Sequence, residues 1–309
     1  MVKKLKDGYL VYQKKINRTM KKNLKIRGLK VPPSIILSNF CDDKRIRNNY
    51  DLSFELWKNK EDQDEDLKNF DIDLCIIPVN LSYKLFQIGY PLKLLSVNIW
   101  GILHVMSMKF KKISWENIAG KSIAIPIKGN MPDTIFKVLA NKNNPNIFEQ
   151  TEVKYCNSYY AAYKKLIEGE IDFAVLPEPY ASDIELKGAN RVLNLQNEWG
   201  KSFKSKPRYP QACTVINNRF SKEERLMFFE ALQSSTVKIY DDMQSTSLKG
   251  EDLLGINNEV IYHSFTHCNV ETISGSDSMK EICSFFEILN NFSDEKDKLG
   301  KINNNFIAL

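Results

Sequence analysis

The sequence predicts an α/β fold with two similar lobes, each built on a mixed, mostly parallel sheet flanked by helices, and a ligand cleft between the lobes. Residues 71–78 and 170–177 share one pattern, in which an acidic residue, Ile and Asp precede four apolar residues and a proline. Four consecutive apolar residues indicate a strand buried on both faces, and proline ends the strand because it lacks a backbone donor. Ligands of open α/β sheets bind beyond the carboxyl ends of such strands, so two equivalent ends predict a clamp.

Strand and helix patterns alternate through the first half of the chain. Residues 50–56 alternate apolar with polar side chains, which is typical of a strand with one face in water. Residues 60–68 are strongly charged and predict a solvated helix or loop, and Pro32 and Pro33 favour a helix start at Ser34. The predicted strands cover residues 24–29, 50–56, 72–77, 92–98 and 102–106, and a further helix covers residues 80–87.

The second half repeats this alternation, which is typical of the α/β class. From Ser221 onward the pattern is helical, and Leu226, Phe229, Leu232 and Val237 are predicted to lie near one face. The predicted strands cover residues 122–125, 153–155, 173–176 and 212–216, and the predicted helices cover residues 134–140, residues 159–168 and a segment after Glu178.

The order of these elements predicts that the chain crosses between the lobes twice, near residues 101–104 and again near residues 206–211. One lobe is therefore discontinuous in sequence. The predicted division is a basic leader over residues 1–23, a first lobe over residues 24–103 and 208–309, and a second lobe over residues 104–207.

Positive charge is concentrated at the amino-terminal end. Residues 1–30 contain 11 Lys or Arg and one acid, whereas the whole chain has a net charge of +6, so the remainder is mildly acidic. No nucleic-acid-binding motif accompanies this basic segment, and a solvated leader is expected. An export signal needs about 7–15 apolar residues after a basic start. Residues 10–12 are the only apolar run before Lys14, which leaves open a cytosolic protein or a signal upstream of Met1.

Other classes of site find little support in the sequence. No stretch reaches the roughly 18 apolar residues of a membrane span. The six cysteines are scattered without close pairs, and Cys75 and Cys213 lie in apolar runs as buried hydrophobic residues. We expect no cofactor, no metal and no nucleic-acid partner.

Five segments resemble one known family when they are taken in order. They are residues 78–81, 97–101, 115–123, 128–133 and 169–179. The sequence resembles substrate-binding proteins of ABC importers, in the nitrate, sulfonate and thiamine-precursor branch, which have the type II periplasmic-binding fold. The resemblance covers about residues 24–290. One departure is the stretch 31–34, which has no glycine where the family usually carries one before its proline, so a close backbone approach there is in doubt.

The candidate ligand contacts follow from the predicted strand ends together with this resemblance. Helix-start N–H groups at residues 129–132 are able to hold a polar or anionic group, although an ordinary tight turn has the same residues. Glu178 suits either a ligand amine or the cap of a helix, and Trp100 suits either a flat wall for a ring or core packing at a hinge. The full set is Ser34, Asn80, Asn98, Trp100, Gly129, Asn130, Met131, Glu178, Tyr180 and Gln211, with Tyr209 as a weaker candidate.

Histidine chemistry is not expected to define the site. His263 and His267 lie one helical turn apart, but no third ligand is recognisable beside them, and a surface role is expected. His104 is expected to be a strand or hinge residue. No nucleophile motif, phosphate-binding loop or dinucleotide fingerprint occurs, which favours a protein that is not an enzyme.

The resemblance implies a monomeric solute-binding receptor that closes on a small polar organic molecule, such as a sulfonate or a thiamine pyrimidine precursor. Its partners would be an ABC permease and ATPase at the cell envelope, with membrane contact only through a possible anchor. The alternatives are an enzyme on the same scaffold, in thiamine pyrimidine or menaquinone synthesis, and an intracellular small-molecule binder.

Overall fold

The framework of the molecule is a pair of mixed β-sheets flanked by helices. A computed structural model of the chain describes residues 21–58, 60–69, 71–292 and 298–309. Most of the predicted basic leader, including residues 10–12, lies outside the described residues. Within the described ranges, no helix combines the length and the apolar character that a membrane crossing requires.

The first sheet combines strands from both ends of the chain. Its order is β11-β4-β10-β3-β1-β2, in which β2, β1 and β3 pair in parallel while β10 and β11 run antiparallel to their neighbours. These strands are β1 (Lys22–Leu29), β2 (Tyr50–Trp57), β3 (Leu74–Pro78), β4 (Leu92–Ile99), β10 (Ala212–Asn217) and β11 (Val270–Ser274).

The second sheet is formed by the middle of the chain. Its order is β7-β6-β8-β5-β9, with β7, β6 and β8 parallel and β5 reversed between β8 and β9. The reversed strands β5 and β10 follow the two crossings of the chain, which explains why each sheet is mixed. These strands are β5 (Leu103–Ser107), β6 (Ser122–Pro126), β7 (Glu152–Cys156), β8 (Phe173–Pro177) and β9 (Asn190–Asn194).

Helices cover both faces of the sheets. Short 3-10 turns cover Pro32–Ser34, Trp115–Ile118 and Asn304–Phe306. The α-helices are α1 (Ile35–Cys41), α2 (Lys44–Asn49), α3 (Lys60–Lys68), α4 (Val79–Gln87), α5 (Met131–Asn143), α6 (Ile147–Gln150), α7 (Tyr159–Ile167), α8 (Tyr180–Leu186), α9 (Leu195–Phe203), α10 (Lys222–Asp241), α11 (Met243–Leu254), α12 (Asn258–Phe265) and α13 (Gly275–Asn291).

The two repeated apolar segments are the strands β3 and β8, buried on both faces as predicted. In β3, Cys75 and Ile77 enter one hydrophobic cluster while Leu74 and Ile76 enter another. In β8 the same alternation places Phe173 in the first cluster and Ala174 in a third. Both strands end at their prolines, Pro78 and Pro177, and each is followed by a helix.

Several features differ from the sequence-based expectations. The strands β9 and β11 and the nine-residue helix α9 were not predicted, because their segments contain few apolar residues in a regular pattern. The expected buried face of α10 is also wrong in part, since Leu226 and Val237 are 48% and 57% exposed. Phe228, Ala231 and Ile239 form its buried face instead.

Candidate functional site at the junction of the two sheets

Helix α12 contacts one element from each half of the fold. This helix packs against the 3-10 turn Pro32–Ser34, which follows β1 of the first sheet, and against α8, which follows β8 of the second sheet. The loop after α12 also reaches the crossing segment, because the backbone N–H of Trp100 donates to the carbonyl oxygen of Asn269 at 2.7 Å. Helix α12 therefore lies between elements of both sheets. We call α12, the turn Pro32–Ser34, α8 and the side chains of His104, Glu178 and Arg191 the junction.

Glu178 is the buried carboxylate of the junction. Its Oε1 accepts a hydrogen bond from Nη1 of Arg191 at 2.6 Å, and its Oε2 accepts one from the backbone N–H of Ser182 at 3.1 Å. Burial raises the pKa of Glu178, and the Arg191 guanidinium opposes that rise. Of the two roles considered from sequence, the structure shows the helix-capping one, because Ser182 lies in the first turn of α8.

His104 is buried beside this ion pair. Its Nε2 lies 3.6 Å from Oε1 of Glu178, and neither ring nitrogen makes a hydrogen bond of ordinary length to any described residue. Burial, the nearby Arg191 and His267 together hold the pKa of His104 well below its usual range, although the backbone of His267 raises it slightly. The imidazole is therefore neutral near pH 7, and its polar contacts with Glu178 and with the backbone of His267 fall outside ordinary hydrogen-bond geometry.

Ser34 is a second buried polar group without a partner. Its side chain is inaccessible to solvent, and its hydroxyl oxygen makes no hydrogen bond within the described part of the chain. The proline pair before it directs the chain from β1 into the turn that contacts α12. Since buried hydroxyls are nearly always hydrogen-bonded in folded proteins, an unused one requires an explanation, and a ligand contact is one such explanation.

Glu185 links the two halves of the junction. Its Oε2 accepts hydrogen bonds from Nε of Arg191 at 2.7 Å and from Nε2 of His263 at 2.8 Å. Nε2 of His267 lies 3.8 Å from the same oxygen. The expectation that the histidine pair has no third partner is thus wrong, because the fold supplies Glu185 from α8. Burial and Arg191 lower the pKa of His267 to about 4.

The crossing segments beside the junction contain Trp100 and Gln211. Trp100 is fully buried, its Nε1 donates to the carbonyl oxygen of Glu271 at 2.8 Å, and the Arg208 guanidinium carbon lies 4.1 Å from its ring centroid. Oε1 of Gln211 accepts from the backbone N–H of Ile102 at 3.0 Å. These contacts agree with core packing at a hinge, the second role considered for Trp100, and they hold the outgoing and returning chains side by side.

Asn98 lies inside the first sheet with its hydrogen-bonding groups engaged. Its Oδ1 accepts from the backbone N–H of Thr214 at 2.9 Å and from the hydroxyls of Thr214 and Ser96, and its Nδ2 donates to Thr272 at 2.9 Å. The side chain is fully buried and joins β4 to β10 and β11. The structure therefore accounts for Asn98 as a link between strands.

The helix start at residues 129–131 has a polar partner from its own helix. Asp133, which is buried, accepts the N–H of Gly129 at 2.8 Å and also binds Lys137 at 2.8 Å. One of the N–H groups expected to hold a ligand is therefore occupied by a carboxylate of the same helix. Asn130 precedes α5 without a side-chain cap bond, and Met131 is buried in the core.

Two further candidates lie at helix starts. Oδ1 of Asn80 accepts from the N–H of Leu81 at 3.0 Å, at the start of α4. Tyr180 begins α8 and packs its ring against Tyr159 and Tyr163, with centroids about 6 Å apart. Burial raises the pKa of Tyr180, so its hydroxyl stays protonated in the physiological range.

Arg191, Glu185 and Ser182 are the junction residues that sequence reasoning missed. Arg191 lies in the unpredicted strand β9, and nothing in the local sequence relates it to Glu178. The spacing of Glu178, Ser182 and Glu185 did carry a signal, because residues three or four positions apart share one face of a helix.

Two surface cavities lie away from the junction. One of about 360 Å³ lies beside Tyr50 and Glu224, and one of about 390 Å³ lies along α3.

Comparison with known proteins identifies the fold. No protein-family model and no curated protein matches the sequence. An ABC transporter from Parabacteroides distasonis superposes with a TM-score of 0.76 at 16% identity, over 93% of this chain and 99% of that chain. The periplasmic aliphatic sulphonate binding protein SsuA from Escherichia coli has a TM-score of 0.68 at 11% identity, over 91% of this chain and 93% of that chain. The chain has the fold of ABC-importer substrate-binding proteins.

One structure that superposes on this chain is not named as a transport protein. A mutant of DszB in complex with biphenyl-2-sulfinic acid has a TM-score of 0.61 at 10% identity, over 94% of this chain and 97% of that chain. At these identities the likeness concerns the fold. Function therefore has to be argued from the residues of the junction.

Proposed function

We propose that this protein is the solute-binding receptor of an ABC importer and that it captures a small polar molecule at the junction by closure of two lobes. The lobes are those expected from the sequence, residues 24–103 with 208–309 and residues 104–207. The observation that carries the proposal is the pair of unused buried polar groups, Ser34 beside the first sheet and His104 in the second. A ligand that bonded both would compensate a desolvation cost that the free protein bears.

The mechanism rests on the proposed lobes, since Ser34 belongs to the first and His104 to the second. A ligand shifts an open–closed equilibrium only by its differential affinity for the two states. A solute that bonds Ser34 on one side and His104 on the other would be held fully only when the lobes are together, so it stabilises the closed form. The crossing segments around Trp100 and Gln211 are the hinge in this proposal.

The charges at the junction favour a neutral or weakly basic solute. Arg191 is already engaged by Glu178 and Glu185, and two carboxylates against one guanidinium leave a net negative charge beside the neutral His104 and His267. An anion would be repelled by this charge, whereas a ring nitrogen and an amine match the neutral donor and acceptor of His104. Of the two classes suggested by resemblance, the thiamine pyrimidine precursor therefore fits better than a sulfonate.

We further propose that the protein binds its solute without converting it. A thiol nucleophile needs a lowered pKa, and burial raises the pKa of Cys213 to about 12 and that of Cys268, next to the junction, well above its usual value. Mass spectrometry after overnight incubation should recover the solute unchanged. Recovery of any product would favour the enzyme alternative.

The binding proposal is tested by titrating hydroxymethylpyrimidine and an alkanesulfonate into the purified chain by calorimetry. We expect the pyrimidine to bind with one site per chain and the sulfonate to bind more weakly. His104→Leu should reduce the affinity about 10-fold or more, since losing one hydrogen bond in a buried site costs about 1–3 kcal/mol. Ser34→Ala should also weaken solute binding. Ser235→Ala is its matched control and should not, because the hydroxyl of Ser235 is also buried but donates to the carbonyl oxygen of Ala231 at 2.6 Å.

The location and partners belong to the same proposal. A receptor of this kind works at the cell envelope as a monomer beside a permease and an ATPase. Fractionation of cells that express the native gene should place the protein in the envelope. A wholly cytosolic protein would favour the intracellular binder instead.

A further inference from the structure

We propose that Glu185, His263 and His267 form a binding site for a divalent transition-metal cation of the zinc class. The site uses none of the proposed solute contacts, although the ring of His267 lies 6.0 Å from that of His104, and it does not depend on the importer function. It would join α8, next to the second sheet, to α12, which packs on the first.

The distances between the three side chains suit a small metal ion. In a tetrahedral zinc site with bonds of about 2.0–2.1 Å, neighbouring ligand atoms are about 3.3 Å apart. Here Oε2 of Glu185 lies 2.8 Å from Nε2 of His263 and 3.8 Å from Nε2 of His267. One ligand atom from each residue lies within 4.8 Å of both others, so small side-chain shifts bring all three into coordination distance.

Local backbone structure presents the two imidazoles on one side. His263 lies in the last turn of α12, and His267 follows one turn later although the helix itself ends at Phe265. The turn continues because the N–H of Thr266 donates to the carbonyl oxygen of His263 and that of His267 donates to Ser264. Two histidines four positions apart on a helical turn are a common arrangement for metal binding. The rings lie 5.1 Å apart and nearly perpendicular, which lets both Nε2 atoms point toward one position.

The surrounding charge permits a cation despite the presence of Arg191. Arg191 bonds Glu178 at 2.6 Å as well as Glu185 at 2.7 Å, so one guanidinium is balanced by two carboxylates. A carboxylate has about four lone-pair positions, and Arg191 uses one of those on Glu185. The hydrogen bond from His263 to Glu185 would be replaced when both residues bind the same metal. The three side chains are each about one-third exposed, so an ion has a path to them from solvent.

Three protein ligands leave a fourth position for water or for another ligand. The neighbouring thiol of Cys268 is buried and is not within the ligand group. The site is therefore expected to have a nitrogen and oxygen environment, unlike the thiolate-rich environment of structural zinc sites.

The experiment uses the full chain, stripped of metal with a chelator and kept reduced, at constant pH. Zinc chloride titrated by calorimetry should show one strong site, and cobalt chloride should give visible bands of low-coordinate cobalt without the near-ultraviolet charge-transfer band of a thiolate. His267→Asn and Glu185→Gln should each weaken zinc binding about 100-fold or more, because even the loss of an outer hydrogen-bond partner costs 10–100-fold. Glu259→Gln, an exposed carboxylate on the same helix, is the matched control and should leave the affinity unchanged.

The shift in melting temperature on adding zinc is a second readout. It compares each variant with itself, so it does not depend on how stable that variant is without metal. Zinc should raise the melting temperature in the wild-type chain and in Glu259→Gln, since a ligand stabilises the state that binds it, and it should not raise it in His263→Gln, which retains a side chain able to hydrogen-bond Glu185. Absence of strong zinc binding in the wild type, equal binding in the ligand variants, or a thiolate band with cobalt would each overturn the proposal.

Discussion

The molecule contains two clusters of buried polar side chains, one within the first sheet and one at the junction. They differ in how completely their side chains are hydrogen-bonded. The first is the Asn98 network, Asn98 with Ser96, Thr214, Thr236 and Thr272, in which every member has a partner within about 3 Å. The second is the junction, where Glu178 and Arg191 are paired but His104 and Ser34 have no hydrogen-bond partner among the described residues. Asn98, His104 and Ser34 are all inaccessible to solvent, so solvent exposure does not distinguish them.

The difference teaches which buried polar residue to regard as functional. A satisfied group stabilises the fold, because removing it leaves its partners unpaired. An unsatisfied group costs stability unless water or a ligand bonds it, and it is therefore a candidate ligand contact. By this criterion Asn98, a predicted ligand contact, is structural, whereas Ser34 stays a candidate and His104 joins it.

Breaking the ion pair at the junction should have the largest effect. Arg191→Met leaves the buried carboxylate of Glu178 without its guanidinium, and we expect a loss of about 3–5 kcal/mol in the free energy of unfolding. Urea denaturation measures this. Arg47→Met, which removes an exposed arginine paired with Asp42, is the control and should change stability by about 1 kcal/mol or less. Adding Glu178→Gln to Arg191→Met should recover part of the loss; a double variant no more stable than the single one would contradict the pairing.

Breaking the Asn98 network should have the next largest effect. Asn98→Ala leaves the backbone N–H of Thr214 and the hydroxyl of Ser96 without their acceptor, and we expect a loss of about 2–3 kcal/mol. Asn218→Ala removes the same atoms from an exposed position and should be close to neutral. If Asn98→Ala were as stable as the wild type yet bound solute poorly, the structural account of Asn98 would fail.

A carboxylate outside both regions gives a reference for pH dependence. Burial raises the pKa of the Glu224 carboxyl, but hydrogen bonds from Lys22, Ser221 and Tyr50 outweigh this and lower the pKa to about 2. Because the folded pKa is below the unfolded value, this stabilisation is present above about pH 4.5 and is lost as the pH falls toward 2. Glu224→Gln should therefore lower stability by about 1–2 kcal/mol at pH 6 and by much less at pH 2.5. Equal losses at both pH values would show that charge is not the cause.

Removing an unsatisfied hydroxyl should have the smallest effect on folding. Ser34→Ala takes away a buried group with no partner, so stability should be unchanged or should rise by up to about 1 kcal/mol. Ser235→Ala should instead lose about 1 kcal/mol, since Ser235 is hydrogen-bonded. Thermal unfolding of the two variants side by side checks this. A larger loss for Ser34→Ala than for Ser235→Ala would show that Ser34 has a structural partner.

Much of the fold could be predicted from sequence because the strongest strands are apolar on both faces. Residues 71–78 and 170–177 identified β3 and β8, and the prolines identified where they end. The strands β9 and β11 were missed because they lack a run of apolar residues and depend on pairing with distant strands. Local pattern carries no information about such pairing.

The candidate site was less predictable because it depends on contacts between segments far apart in sequence. His263 and Glu185 are 78 residues apart, and only the packing of α12 on α8 brings them together. Conversely, Asn98 looked like a ligand contact because it ends a predicted strand, and Trp100 because it lies where the chain crosses between the lobes. Both are hydrogen-bonded within the protein. A strand end predicts the neighbourhood of a site, whereas the hydrogen bonds decide which side chains are free to act.

The most direct test of the central claim compares wild-type protein with His104→Leu in two measurements made under the same conditions. Calorimetry gives the affinity for hydroxymethylpyrimidine, and urea denaturation gives the stability of the free protein. The account predicts that His104→Leu is at least as stable as the wild type and binds the pyrimidine about 10-fold or more weakly. A variant that is destabilised but binds with wild-type affinity would contradict it, and so would a wild-type protein that does not bind the pyrimidine at all.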